Sequence, residues 1–341
     1  MRAVQMPGLA ALLTKIAVIA SGCAVLGMAA CGSVDAPQTI EVTVPVGTTF
    51  DSVLDTLVTR GVVVGKRRFR LYARVTGADR RVRAGSYALV PGARWRKILE
   101  ALTSGPLMTF AMTIPEGFTI ADMSLRMAEI VVRPADSVRA LLTDPDAHLR
   151  WGVPGPGLEG YLFPDTYRFA REVSLNVVIE AMVRRYQTAW TSGRRARLEE
   201  LEMSENQLIT LASIIQSEAR RVEEMQTISA VYHNRLRLGY RLQADPTVLY
   251  ALGGRRERLL FAAIDSVADN PYNTYTQRGL PPGPIAAPGE AAIHAALYPA
   301  GERYLYFVAR PNGSHIFSNS LEEHNRAREV ARSERRTTAV Q

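Results

Sequence analysis

Among the carboxylates of this chain, Glu218 has the setting that suggests chemistry. Ser204 and Gln207 have the spacing of a capping box, so a helix is predicted to begin there. Leu208, Leu211, Ala212, Ile215 and Ala219 recur at helical spacing and mark its buried face. Glu218 lies seven residues after Leu211, four after Ile214 and three after Ile215, which puts it on the flank of that stripe, while Gln216, Ser217 and Arg220 point elsewhere. A carboxyl so placed is partly desolvated, which raises its pKa and keeps a proton available for acid work. A glutamate at the solvated edge of the stripe fits the same position.

The residues that follow give this acid a polar neighbourhood. A second helix is predicted over about 224–238, ending at Gly239 and carrying Asn234 and Arg235. Gln243 leads into Asp245-Pro246, which reads as an N-cap aspartate before a proline at the first helical position. Residues 270–289 (NPYNTYTQRGLPPGPIAAPG) form a Pro/Gly-rich loop that carries Asn273 and Tyr275. Amides and hydroxyls on such a loop pair with sugar hydroxyls, and rings stack on apolar sugar faces. A rigid structural loop has the same composition.

Other chemistries find no support. The chain has no G-x-S-x-G, S-x-x-K, P-loop or H-E-x-x-H pattern. Its five histidines show no metal-ligand spacing, and its two cysteines, Cys23 and Cys31, both fall in the first 31 residues. A disulfide framework, a cysteine–zinc site and a cysteine nucleophile are therefore excluded from the rest, and no metal or cofactor is expected. Gly155-x-Gly157-x-x-Gly160 formally matches a dinucleotide fingerprint, but Pro154 and Pro156 break any strand before it and Phe163-Pro164 prevents a clean helix after it. A tight ordered loop is expected there.

With 341 residues, the chain has room for about two domains and a real core. The hydrophobic fraction of 47% and charged fraction of 22% argue against wholesale disorder. The net charge of +8 is carried almost wholly by arginine, without a run of five like charges or interleaved aromatics. Nucleic acid is not an expected partner; an anionic envelope polymer suits the same charge.

The elements that position these residues can be read in order. Thr39–Val44 alternates as a strand, and helices are predicted over 48–60 and 66–75. A strand over 82–90 and a helix near 95–102 complete a β-α-α-β module that ends at Gly105-Pro106. The stretch EVTVPVGTTFDSVLDTL near residue 41 is echoed by FAMTIPEGFTIADMSLRM near 110, each giving a strand, a Pro-x-Gly turn and a helix. The C-terminal half is mainly helical to about 300, followed by a hairpin over 304–317 and a last helix capped by Ser320 and Glu323. The expected class is α+β: a small βααβ module, then a larger, mainly helical domain with a C-terminal β-hairpin.

The first residues read as a leader. Arg2 and Lys15 precede an uncharged run, Ile16–Cys31, with Asp35 after it. That arrangement sends the rest of the chain outward across a membrane. A spanning anchor, a cleaved signal and a lipid anchor on Cys31 are the three readings.

Several longer stretches then carry a resemblance. Glu159–Thr166 (EGYLFPDT), Ala212–Glu218 (ASIIQSE), Asn234-Arg235-Leu236, Arg241–Tyr250 (RLQADPTVLY), Tyr272–Tyr275 (YNTY) and Gly279–Gly283 (GLPPG) resemble the MltG/YceG family of endolytic murein transglycosylases. The likeness runs from about Thr39 to the last helix. It implies a membrane-tethered enzyme outside the cytoplasm: an anchor or signal over 1–34, a LysM-like module over 35–106 and a catalytic domain over 107–335. It implies cleavage of β-1,4 bonds between N-acetylmuramic acid and N-acetylglucosamine inside peptidoglycan strands, leaving 1,6-anhydromuramic ends and ending strand elongation. It admits peptidoglycan synthases (penicillin-binding proteins) as partners. The family's catalytic glutamate falls on Glu218, preceded here by Gln216-Ser217 where some relatives carry Glu-Lys. Asn234, Gln243, Asp245, Asn273 and Tyr275 are the candidates for holding sugar or orienting Glu218. A hydrolase using Glu218 with a second acid such as Asp245, and a noncatalytic glycan-binding scaffold, are the competing readings.

Overall fold

The computed structural model of the chain describes residues 38–254 and 259–338. The leader therefore lies outside the described residues. The first strand, β1 (Ile40–Val44), buries Val42 and Val44, as its alternation predicts. Helices α1 (Phe50–Thr59) and α2 (Lys66–Val75) follow, then β2 (Gly85–Leu89) and α3 (Trp95–Thr103). β1 and β2 pair in a two-stranded sheet.

One compact unit reaches to Val42 and takes Phe50–Val82 and Ala88–Ser104. Leu54, Leu57, Phe69 and Leu102 are fully buried in it, and the Phe69 and Trp95 rings meet edge-on with centroids 5.7 Å apart. Each such side chain contributes about 1.5–3 kcal/mol through burial.

The second unit holds Thr43–Thr49, Arg83–Tyr87 and the described residues from Gly105 onward. It begins with β3 (Phe110–Thr113), α4 (Ile120–Val131), α5 (Ala135–Leu142) and α6 (Ala147–Trp151). The sequence echo is thus structural: β1–α1 and β3–α4 are both strand–turn–helix units. A strand not anticipated from the sequence, β4 (Thr166–Phe169), runs antiparallel to β3, pairing Phe110 with Phe169 and Thr113 with Thr166. Four residues with one buried side chain carry too little alternation to be read in advance.

Five helices then lead to the loop region: α7 (Leu175–Thr188), α8 (Ser192–Glu200), α9 (Glu205–Glu218), α10 (Met225–Arg237) and α11 (Asp245–Ala251). After α12 (Phe261–Asp265) and the Pro/Gly-rich loop come α13 (Glu290–Leu297), the antiparallel hairpin β5 (Tyr306–Ala309) and β6 (His315–Ser318), and α14 (Leu321–Thr338). The expected α+β class holds, with small antiparallel sheets beside a mainly helical body.

Helix α9 is the central post of this unit. Its capping box is complete: Gln207 N–H donates to Ser204 Oγ at 3.2 Å, and Ser204 N–H to Gln207 Oε1 at 2.8 Å. The one-sided stripe expected from its spacing is too narrow a description, because all eight residues from Leu208 to Ile215 are buried. A helix enclosed on every side needs neighbours on every side. One of these is α13, where Ala292, Ala295 and Ala296 are small enough for the two helices to pack closely.

Candidate active site

Glu218 is the last residue of α9; at Ala219 the backbone turns extended and leaves the helix. The rigid post thus delivers this side chain at its C-terminal end. Glu218 keeps a partly exposed surface while protein surrounds its carboxyl. Burial pushes its pKa up to about 7, and the negative charge of Asp245 adds to the rise. A hydrogen bond from Tyr232 and the positive charge of Arg235 oppose it. The group therefore exchanges its proton near neutral pH, which suits a general acid that must later act as a base.

Helix α10 supplies two partners that sequence reasoning did not assign. The buried Tyr232 donates its hydroxyl proton to Glu218 Oε1 across 3.1 Å. Arg235, one turn further on, is buried and donates through Nε to Leu305 C=O at 2.7 Å and through Nη1 to Leu242 C=O at 2.7 Å. Its guanidinium also lies 5.2 Å from the centre of the Tyr306 ring. Held by carbonyls and an aromatic face, this cation keeps its charge near Glu218. The i, i+3 spacing of Tyr232 and Arg235 was the available signal, since it puts both on one helix face.

The candidates from the sequence separate into two groups. Asp245 and Tyr275 come together: the Tyr275 hydroxyl donates to Asp245 Oδ1 at 2.5 Å. Asp245 is not the cap it was expected to be. It is the first residue of α11, the cap position belongs to Ala244, and no side chain caps this helix end. The Asp245 side chain turns to Tyr275, and its charge reaches Glu218.

Asn273 is fully buried, and its amide donates to the carbonyls of Ile264 and Val267 while its Oδ1 accepts from Tyr275 N–H at 3.0 Å. These bonds shape the loop and set Tyr275 in place. Asn234 donates to the carbonyls of Glu302 and Tyr304, tying α10 to the segment before the hairpin. In this structure the amide nitrogens of both asparagines are engaged by backbone carbonyls. Gln243 is exposed, with a left-handed backbone at φ 49°, and its N–H donates to Thr274 C=O.

The Pro/Gly-rich loop lies along α9. Ile285 N–H donates to Ser213 Oγ, Gly289 N–H to Gln216 Oε1 and Asn206 Nδ2 to Pro282 C=O. The EGYLF segment packs against it. Gly160 has φ +81°, and a Cβ there would come within 2.4 Å of Pro284. The adjacent glycines form the tight loop expected of them, without a dinucleotide fold: a Cβ on Gly155 would stand 2.2 Å from the Tyr161 ring.

This turn delivers Glu159, a second enclosed carboxyl, into a cavity of about 770 Å³ whose wall also includes Gln216, Ser217 and Pro246. Burial is the main cause that pushes Glu159 up to about 8. Sequence reading passed over it because EGYLF has no helical period to betray burial. Among the described residues, no group of His, Cys, Asp and Glu is arranged to hold a metal ion, and no helix is long and apolar enough to cross a membrane.

The model of the YceG-like family matches residues 42–330. The chain is 33% identical over 312 residues to an endolytic murein transglycosylase of Bacillus subtilis (strain 168), covering 86% of this chain and 85% of that one. It is 28% identical over 318 residues to an endolytic murein transglycosylase of Streptococcus pneumoniae serotype 2 (strain D39), covering 84% of this chain and 57% of that longer one. The yceG-like protein of Listeria monocytogenes, solved at 2.6 Å, superposes with a TM-score of 0.59 at 32% identity, covering 85% of this chain and 99% of that one.

Proposed function

This chain belongs to the YceG-like family, and from that premise we infer that it is an endolytic murein transglycosylase with Glu218 as its acid and base. It is a lyase that cuts inside peptidoglycan strands. The observation that carries the assignment of Glu218 is its pairing with Tyr232. With Oε1 occupied as an acceptor, Oε2 is the oxygen left to hold the transferable proton.

The chemistry needs one carboxyl. Glu218 donates its proton to the glycosidic oxygen as the bond from muramic acid C1 breaks and positive charge builds on the ring. The resulting carboxylate accepts the proton of the C6 hydroxyl as O6 bonds to C1. That step closes the 1,6-anhydro ring and restores the acid, with no water consumed. The nucleophile is already held near the reacting carbon because it belongs to the same sugar. Asp245, bonded by Tyr275, acts in this scheme as a negative field that keeps Glu218 protonated. Arg235 limits that effect.

The finer expectations follow as part of the same reading. The module over 35–106 is proposed to be LysM-like and to hold glycan, and residues 107–335 to form the catalytic domain. The uncharged run Ile16–Cys31 is proposed as a membrane anchor, either spanning or lipidated at Cys31, with the enzyme outside the cytoplasm. From there it would cut nascent strands beside peptidoglycan synthases.

The test is product mass. Purified uncrosslinked strands should yield internal fragments ending in 1,6-anhydromuramic acid, one water lighter than hydrolysis products. Reducing ends that carry solvent oxygen would give the reaction to a hydrolase, with Asp245 as the second carboxylate.

A further inference from the structure

A cavity bounded in part by the two residues that precede Glu218 holds a carboxyl that the mechanism leaves unused. Its wall begins one residue from the acid, at Ser217 and Gln216, and includes Pro246, the neighbour of Asp245. At about 770 Å³ it falls in the size range of small-molecule sites. Ile120, Leu249 and Ile285 give it an apolar side.

Glu159 differs from the other acids on this wall. Glu116 is exposed, and Asp122 is tied to Thr119 in the capping box of α4. Glu159 is enclosed, and Ile120 N–H donates to it at 3.1 Å and 3.2 Å from its two oxygens. The Tyr250 hydroxyl stands 3.5 Å from Oε2, at the limit of a hydrogen bond. Gly160 N–H also bonds to it. The two backbone groups can only donate, and the Tyr250 hydroxyl oxygen, which could accept, stands too far for a good bond. The Glu159 proton, kept on at neutral pH mainly by burial and also by the charge of Asp122, therefore lacks a well-placed acceptor among the described residues.

The geometry points to Glu159 as a substrate-holding residue whose carboxyl O–H donates to the amide carbonyl of an N-acetylated sugar seated in this cavity, beside the bond that Glu218 cuts. This rests on the transglycosylase reading and adds a contact to it. An acetamido group offers the acceptor for Glu159 and a methyl for the apolar side. The titratable and charged groups that face Glu159 are Asp122 of α4, Tyr250 of α11 and Tyr272 of the loop after α12; Glu116 and Arg139 share the wall.

The experiment is strand binding by the full chain carrying Glu218→Gln, which removes turnover and the titration of Glu218. Dissociation constants for purified uncrosslinked glycan strands are measured from pH 6 to 9.5. Affinity should fall about tenfold as pH rises through 8, the size expected for one lost hydrogen bond. Adding Glu159→Gln, which keeps an N–H donor at every pH and can still accept from Ile120, should make affinity independent of pH. Adding Glu159→Ala should weaken binding about tenfold at pH 6.5, with circular dichroism confirming the fold. The proposal is overturned if the alanine variant binds as tightly as its parent at pH 6.5, or if the pH dependence persists in the Glu159→Gln variant. Should the Glu159→Ala protein fail to fold, the pH comparison with the glutamine variant decides alone. Absence of strand binding to the Glu218→Gln parent at any pH would overturn the glycan reading itself, a result distinct from pH-independent binding, which removes only the role of Glu159.

Discussion

Tyr232 donates a hydrogen bond to Oε1 of Glu218 across 3.1 Å, joining α10 to the end of α9 at the proposed acid. The two residues are 14 apart in sequence, and the contact exists only because the helices pack together. It orients the acid and, by favouring the carboxylate, restrains a pKa that burial and Asp245 push up to about 7.

Glu218→Gln keeps the shape of this side chain and removes its transferable proton. Cleavage of glycan strands should fall by about a hundredfold or more, while the circular dichroism spectrum stays that of the parent. Near-normal turnover would remove Glu218 from the mechanism.

The partners of Glu218 should move its titration in opposite directions. Tyr232→Phe removes a bond that favours the charged form, so the alkaline limb of kcat/KM should move up by about half to one pH unit. Asp245→Asn removes a repulsive charge, so the same limb should move down by a similar amount. The product of the Asp245→Asn enzyme should still end in 1,6-anhydromuramic acid. Shifts of equal sign in the pH–rate profiles would show that these contacts do not govern the acid.

Stability should report the same proton. The folded pKa of about 7 lies above the unfolded value near 4.5, so folding binds a proton between them. The neutral form is the one burial tolerates. Its contribution is full below about pH 4.5 and is lost as pH rises towards 7. Glu218→Gln, neutral throughout, should therefore match the parent near pH 4 and exceed it by about 1–2 kcal/mol at pH 8, after discounting for the partial exposure of the site. Urea unfolding at the two pH values measures the difference.

Gly160→Ala tests the seat of Glu159. Its φ of +81° and the 2.4 Å approach of a Cβ to Pro284 both oppose a side chain. A loss of about 2–4 kcal/mol is expected from backbone strain and overpacking together, read as a lower urea midpoint. An unchanged midpoint would show that the EGYLF turn can move away from the Pro/Gly-rich loop.

Removal of residues 1–34 should shift the enzyme from the membrane fraction to the soluble fraction with its lyase activity retained. Cys31→Ser should release it only if the anchor is a lipid. Full-length protein recovered in the cytosol without extraction would contradict the tether.

Much of this molecule is written locally. The capping box at Ser204 and Gln207, the helical spacing after it and the stop at Gly239 are encoded within a few residues, so the two helices that carry Glu218, Tyr232 and Arg235 were legible in the sequence. So were the paired strand–turn–helix units and the C-terminal hairpin. Which polar side chain meets which partner was not. Asp245 looked like a cap, yet folding brings it a hydroxyl from Tyr275, 30 residues away, and a place in the field around Glu218. Asn234 and Asn273 stand out for their polar side chains, but nothing near them in sequence announces the backbone carbonyls that packing delivers to their amides. Glu159 meets Ile120 from 39 residues away and Tyr250 from 91, with no periodicity to announce either. Hydrophobic spacing records the face an element buries, because that choice is made within the element. The protonation and pairing of a buried polar group depend on how much water is excluded and on which donors arrive from elsewhere, and only the assembled tertiary structure decides both.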